Sequence, residues 1–499
     1  MTETKETALA PEGMLQRLLT LFGFDGQEGP RTALIGPGLA PVEDTQPVTP
    51  EDRALSGLVA MLQNVSPVNG RLDKAKVFET VERIDRLINE QVNEILHCPT
   101  FQQVESTWRG LEDLASNLNF KSNIAVDLLD VSKDELYEDF ENNSSDIFAA
   151  ALFDKVYVAE YDQYGGSPFG TIIADYAFKH TPRDLFWLRS MAKVAAASHA
   201  PFIASVSEEF FGCKTMEEME SIKNFEGVVN HPKYGAWNAF RDTEEAAYIG
   251  LTFPRYILRK PYHPDTNPVP GMNFTERAEG DSSKYLWGSA AWLFARNLGR
   301  SFSESGWCQY IRGPKGGGFI TGLPVDTYNI RGQDEMMIPV ELVIPDHREL
   351  EMAKSGFIPL VYRKSTADAT FFSVQSAKVP RKLKDPKDAE NSQLVTNLSY
   401  TYSITRIAHY VKSIMRDNIG TTADGPYIQR KLTSWINQYV TAALNPDDLT
   451  MRAFPFKAAS IEVSAKPGQI GWYKCAISVL PHLQFEGMDV ELRLESRLG

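Results

Sequence analysis

RGPKGGGFITGLP, residues 312–324, gathers glycines beside Arg312 and Lys315, a combination of backbone N–H groups and cationic side chains that can cradle a phosphate. Its spacing matches neither G-x-x-x-x-G-K-[ST] nor a G-x-G-x-x-G leading from a strand into a helix, so a tight structural loop is the plainer reading. The 8 histidines are scattered without H-x-x-x-H spacing, and no cysteine or carboxylate cluster joins them at metal-ligand intervals. No G-x-S-x-G elbow occurs. Ser205 and Ser207, in SVSEEFFG, lack the flanking glycines that expose a nucleophile, which leaves capping or turn formation as their work. The adjacent carboxylates Glu208 with Glu209, and Asp447 with Asp448, would point apart on a strand or sit at a solvated helix start. No catalytic, cofactor-binding or metal-binding residue is expected.

The elements that would have to position any chemistry belong to a large chain. At 499 residues and 43% hydrophobic it can bury a sizeable core, and about 150 residues per domain suggests two to four domains. A formal charge of -14, with no lysine/arginine block, argues against nucleic acid. Cys98, Cys213, Cys308 and Cys475 lie far apart without a C-x-x-C pair, which suits thiols in a reducing compartment, the cytoplasm. MLQRLLTLFGF (14–24) is short, follows acidic residues and lacks a cleavage pattern, so neither a signal peptide nor membrane insertion is expected.

Residues 25–70 open with a Gly/Pro-rich tether. From 71 to 96 Val77, Val81, Ile84, Ile88, Val92 and Ile95 repeat at helical spacing, and a second helix starts at Pro99 with Phe101, Val104, Trp108, Leu111 and Leu118 on its pattern. Strands and helices then alternate. SNIAVDLLDV (122–131) reads as a strand, Ser132 and Glu135 as a capping box, FGTIIADYAF (169–178) as a strand, Thr181–Pro182 as the start of a helix running to His199, and PFIASV (201–206) as a strand. This is the signature of βαβ units and a partly parallel sheet. KPYHPDTNPVPG (260–271) reads as a surface excursion, and 284–302 as a largely apolar internal helix. MMIPVELVIP (336–345), FIPLVYR (357–363) and TFFSVQ (370–375) read as further strands. The fold class expected is mixed α/β: a partly parallel α/β core over 71–377, a charged linker at 378–393, and a C-terminal module over 394–499. That module holds helices at 394–419 and 427–444 and strands at 458–465, 470–485 and 488–496, with Pro481 imposing a bulge or an edge.

Two stretches pose an assembly question. In DVELRLESRLG (489–499) Val490, Leu492 and Leu494 face one way and Glu491, Arg493 and Glu495 the other, and a terminal strand must pair either within its own domain or with another chain. In MLQRLLTLF (14–22) Met14, Leu15, Leu18, Leu19 and Phe22 share one helical stripe behind the tether; such a helix is marginal alone and either docks back or folds into a partner's groove.

HCPTFQQVESTWRGLEDL (97–114), PFGTIIADYAF (168–178), HAPFIASVSEEFFG (199–212), YIGLTFPRYILRKPY (248–262), YLWGSAAWLFARNL (285–298), GFIPLVYRKSTADATFFSVQS (356–376) and PHLQFEGMDVELRLESRL (481–498) together resemble the large subunit of the type VI secretion contractile sheath, the TssC/VipB family. The resemblance implies a structural protein rather than an enzyme. It implies pairing with a small sheath subunit of the TssB/VipA class, six-fold helical stacking with neighbouring protomers on a baseplate, an inner tube of Hcp, and recycling by a ClpV-type AAA+ ATPase. It also implies that the C-terminal strands, Val490, Leu492 and Leu494 included, are completed by strands of other subunits, and that the 14–22 helix is presented to the ATPase. The alternatives are a phosphate-binding α/β enzyme using 312–324, or the sheath of another phage-tail-like machine.

Overall fold

Buried parallel strands read as continuous apolar runs, because helices cover both faces of their sheet. The computed structural model, which describes residues 74–482 except 382–383, 442, 444 and 470–471, together with Gly57, contains such a sheet. The chain divides into two compact units, Met1–Leu96 with Tyr262–Arg277, and His97–Pro261 with Ala278–Gly499.

In the first unit, helix α1 (Lys74–Leu96) holds the Pro-rich excursion through two asparagines one turn apart. Asn89 donates through Nδ2 to Asn273 O (3.1 Å) and accepts at Oδ1 from Thr275 N (3.2 Å), while Asn93 donates through Nδ2 to Thr275 O (3.0 Å) and accepts at Oδ1 from Arg277 N (2.8 Å). Each amide thus imitates a neighbouring strand.

The second unit begins with α2 (Pro99–Asn117), which buries Gly110 and Leu114. A Cβ on Gly110 would come within 2.3 Å of Trp292 Nε1, so only glycine allows the helix so close to that indole. Phe101, Val104 and Trp108, which share the helical pattern, are exposed instead. Helix α3 (Lys133–Asn142) opens on the expected capping box: Ser132 Oγ accepts from Glu135 N (3.1 Å) and the Glu135 carboxylate accepts from Ser132 N (2.7 Å).

Strand β1 (Ile172–Phe178), α4 (Pro182–Ser198), β2 (Phe202–Val206), β3 (Ile249–Phe253), α5 (Ala290–Ser305), β4 (Phe319–Ile320), α6 (Asp346–Lys354), β5 (Ile358–Tyr362) and β6 (Ala369–Phe371) follow. They form a six-stranded sheet ordered β1-β2-β3-β5-β6-β4, parallel from β1 to β5 and antiparallel beyond. The two-residue period of β2 divides its side chains between two cores: Phe202, Ala204 and Val206 join Trp187, Phe210, Trp237 and Phe357, and Ile203 joins Leu293, Phe294, Leu360 and Phe371. The internal helix expected at 284–302 is α5, set at 290–305 by Ser289, whose Oγ accepts from Ala291 N.

Two expected strands are absent. Asn123 takes the left-handed conformation at φ 59°, and residues 124–131 run on without a bend or turn but join no ladder, because no strand among the described residues lies beside them. Residues 336–345 make only an isolated bridge, Val340 to Tyr256, beyond the end of a hairpin at Met336, because Pro339 and Pro345 remove ladder donors.

In the C-terminal part, Asn397 splits the first expected helix. It accepts from Ser399 N and so caps α8 (Leu398–Asp417) after α7 (Pro386–Thr396). Helix α9 (Gly425–Ile436), capped by Asp424, ends well before 444. Strands β7 (Phe456–Ala465) and β8 (Tyr473–Pro481) form an antiparallel hairpin. The strand expected at 488–496 lies outside the described residues.

Candidate functional site

The hairpin is the one place where an expected assembly element meets the described residues. Its register puts Ile461 opposite Ile477 and Val463 opposite Cys475, and slips by one residue between Phe456 and Ala458, opposite Pro481 and Leu480. The bulge expected at Pro481 therefore exists, and it resets the phase so that Phe456, Ala459, Ile461 and Val463 all face inward. These residues, with Tyr473, Ile477 and Val479, lie on Ile428, Leu432 and Ile436 of α9, Ile407 of α8 and Trp307. Trp307 meets Phe456 edge-on at 5.3 Å between centroids. Ser460, Glu462, Ser464, Lys474 and Ser478 face outward and are exposed.

The edges of this two-stranded sheet differ. Thr441 N donates to Phe456 O (3.0 Å), covering one end of β7, whereas β8 pairs only with β7 among the described residues. At the exit, His482 N donates to Pro455 O (3.0 Å) and Gln309 Nε2 donates to His482 O (3.1 Å), which holds the chain where it leaves the hairpin. Burial, with Lys457 nearby, pulls the His482 imidazole below its usual range. Val490, Leu492 and Leu494 lie beyond this exit and outside the described residues, as do Met14, Leu15, Leu18, Leu19 and Phe22.

The remaining candidates have structural roles. In the glycine loop, Gly313 N donates to Phe371 O (2.7 Å), Gly318 N to Gly313 O (2.9 Å) and Phe371 N to Gly318 O (3.1 Å), so two amides a phosphate would need are already engaged. Gly317 sits at φ 94°, and a Cβ there would be 2.0 Å from Tyr310 O, so the glycines answer to backbone crowding. Ser205 Oγ, buried, bonds Thr252 Oγ1 (2.8 Å) and Ser289 Oγ (2.6 Å), tying β2, β3 and the start of α5 together. Asp447 accepts from Thr450 N (2.9 Å) and caps a short helix, and Glu209 pairs with Lys179 at 2.9 Å on the surface. Burial raises the thiols of Cys213, Cys475 and Cys308, the last to about 11, which makes them poor nucleophiles. Among the described residues no group of three or more His, Cys, Asp or Glu could hold a metal ion, and no helix is long and apolar enough to cross a membrane.

One cluster escaped the sequence reading. His199, at the end of α4, lies 6.3 Å from His409 of α8 between ring centroids, with Tyr161 against both. Their wide separation in sequence leaves no spacing by which to find them.

Comparison with known proteins bears on the whole chain. Residues 79–378 match the VipB family, described as EvpB/VC_A0108, tail sheath N-terminal domain, and residues 387–498 match its tail sheath gpW/gp25-like domain. The type VI secretion system sheath protein TssC1 of Pseudomonas aeruginosa is 38% identical over 431 residues, covering 85% of this chain and 86% of that protein. Among solved structures, the six-fold symmetrised cryo-EM baseplate of the anti-feeding prophage aligns at a TM-score of 0.38 and 10% identity, covering 75% of this chain and 84% of that one. The contracted helical sheath of the same particle aligns at 0.31 and 12%, covering 62% and 67%. By the span and identity of the sequence matches, the chain belongs to the VipB/TssC family of type VI secretion tail sheath proteins.

Proposed function

We propose that the chain forms the wall of a contractile sheath in the cytoplasm. It pairs with a small subunit of the TssB/VipA class, stacks in six-fold rings from a baseplate around an inner tube of Hcp, and contracts to drive that tube outward for effector delivery. It catalyses no reaction and takes neither nucleic acid nor membrane as partner. The family match across both domains carries this reading, and the edge of β8, which pairs with no second strand among the described residues, supports it physically. Val490, Leu492 and Leu494 bury their side chains in a mesh between protomers, while the backbone ladder carries the linkage. Met14, Leu15, Leu18, Leu19 and Phe22 form the stripe read by a ClpV-type ATPase.

The test is coexpression with the adjacent small-subunit gene and negative-stain imaging. Hollow tubes are expected from the full chain, and soluble protein without tubes from a chain lacking 488–499 or carrying Leu492→Pro. Normal tubes from either variant would remove the mesh from the proposal. In the same preparation, Leu18→Asp with Leu19→Asp should leave tubes intact and abolish ATPase capture.

A further inference from the structure

Between α2 and α3, after a short turn that ends at Asn123, residues 124–131 cross the surface without a bend or turn. No backbone N–H from Asn123 to Val131 donates to any group among the described residues. Val126 to Asp130 are exposed in an unbroken run that includes three large apolar side chains, with Leu128 66% and Leu129 51% accessible. Among the described residues nothing covers this β-prone, apolar segment, and soluble chains avoid such exposure unless something pairs with it.

We infer that residues 124–130 receive a β-strand of another polypeptide, one that is apolar at alternate positions and basic between them. Both ends of the segment are fixed. Ile124 Cδ1 lies over Gly299 of α5, the Val131 carbonyl accepts from Tyr176 Oη (2.5 Å), and the Ser132 capping box follows at once. The extended form is therefore held ready for a ladder, and a partner strand meets a small ordering cost. A helix would cover the apolar side chains of this segment but pair none of its amides, whereas a strand covers them and pairs every second amide as well.

The charge pattern selects the partner. Asp134 is paired with Arg183 (3.0 Å) and Asp184 with Lys133 (2.9 Å), but Asp127 and Asp130, both exposed on the segment, pair with no cation among the described residues. A second copy paired about the centre of the segment would set Asp127 against Asp127, so a lysine or arginine of a different chain, on the face opposite to that of Ile124, Val126 and Leu128, is the complement. The inference does not depend on which sheath component supplies the strand.

Two measurements on the purified full-length chain test it. In hydrogen exchange, amides 124–130 should exchange at close to the unprotected rate at low and high protein concentration; slow exchange at either would overturn the proposal, since the segment would then be paired internally or with its own copy. In fluorescence anisotropy, a labelled (Val-Lys)4 peptide should bind at least tenfold more tightly than (Val-Glu)4. Leu128→Pro, which removes an amide that bonds nothing here, should keep the melting temperature and lose that preference. Asp127→Asn with Asp130→Asn should weaken the lysine peptide alone. Equal binding of the two peptides, or binding indifferent to Leu128→Pro in a variant that melts normally, would overturn it.

Discussion

Strands β2 and β3 are buried at all five of their positions, and each has a strand on both sides. Strands β7 and β8 bury mainly alternate residues, rest on helices through one face, and leave the outer edge of β8 open among the described residues. The buried residue types overlap, with Ile and Phe in both, but β7 and β8 interleave theirs with Lys, Glu and Ser on an exposed face. What differs is closure. Inner strands closed on both faces and both edges are held by their own sheet, whereas a lone hairpin is marginal and borrows stability from what packs on it. The proposed function would use this division, a rigid body carrying linking strands that other subunits complete.

The comparison predicts unequal responses to truncation. Trp237 is fully buried, stacks on Phe357 at 5.8 Å and meets Phe210 edge-on at 5.1 Å. Trp237→Ala should cost about 3–5 kcal/mol and lower the main unfolding transition, because the aromatic core shared by α4, β2 and β3 has no slack to fill the hole. Calorimetry of the full chain checks this. A main transition left in place would mean that the core is less closed than its burial indicates.

Ile461→Ala in β7 removes a side chain that is 5% exposed and should cost about 2–4 kcal/mol, but locally. Protease cleavage and amide exchange across 425–482 should rise while β2 and β3 keep their protection. Equal loosening of both regions would show that the hairpin and the sheet unfold as one unit.

How much of this was legible in the sequence follows the same division. Local chemistry was readable: the Ser132–Glu135 box, the Thr181–Pro182 start of α4 and the uninterrupted apolar runs of β2 and β5 all fix their elements with nearby residues. Features that need a distant neighbour were not. Residues 124–131 have strand composition but no partner strand among the described residues, which no local pattern can report, and the prolines at 339 and 345 outweighed the apolar run around them. Asn397 was readable only as a polar interruption, yet it ends one helix and caps the next. The glycine loop failed both nucleotide spacings because its glycines serve the approach of Tyr310 and Phe371. The terminal residues singled out for assembly, Val490 to Leu494 and Met14 to Phe22, lie outside the described residues and stay with the family resemblance.

The smallest expected effect concerns the seam that joins the two regions. His409 of α8 donates through Nε2 to Ser198 O (2.9 Å) at the end of α4, and His199 Nδ1 lies 3.3 Å from Tyr248 Oη. Lys412 sits 3.7 Å over the Tyr161 ring and 2.6 Å from Asp162 Oδ1, and Arg416 donates to the carbonyls of Tyr161, Asp162 and Gln163. Burial first, then His409 and Lys412, lowers the His199 imidazole from 6.5 to about 4, and burial also lowers His409. Both rings fold neutral. Below pH 6.5 the unfolded chain takes up protons that the folded chain refuses until about 4, so this contribution is complete above 6.5 and shrinks as the pH falls toward 4. For His199 alone the loss at about pH 5 is roughly 2 kcal/mol. His199 sits in the left-handed region at φ 52°, which asparagine tolerates well, so His199→Asn should remove much of the acid sensitivity without straining the turn. Denaturant midpoints from pH 8 to pH 5 check it: the wild-type midpoint should fall and the variant's should fall less, and parallel curves would show that the seam does not titrate.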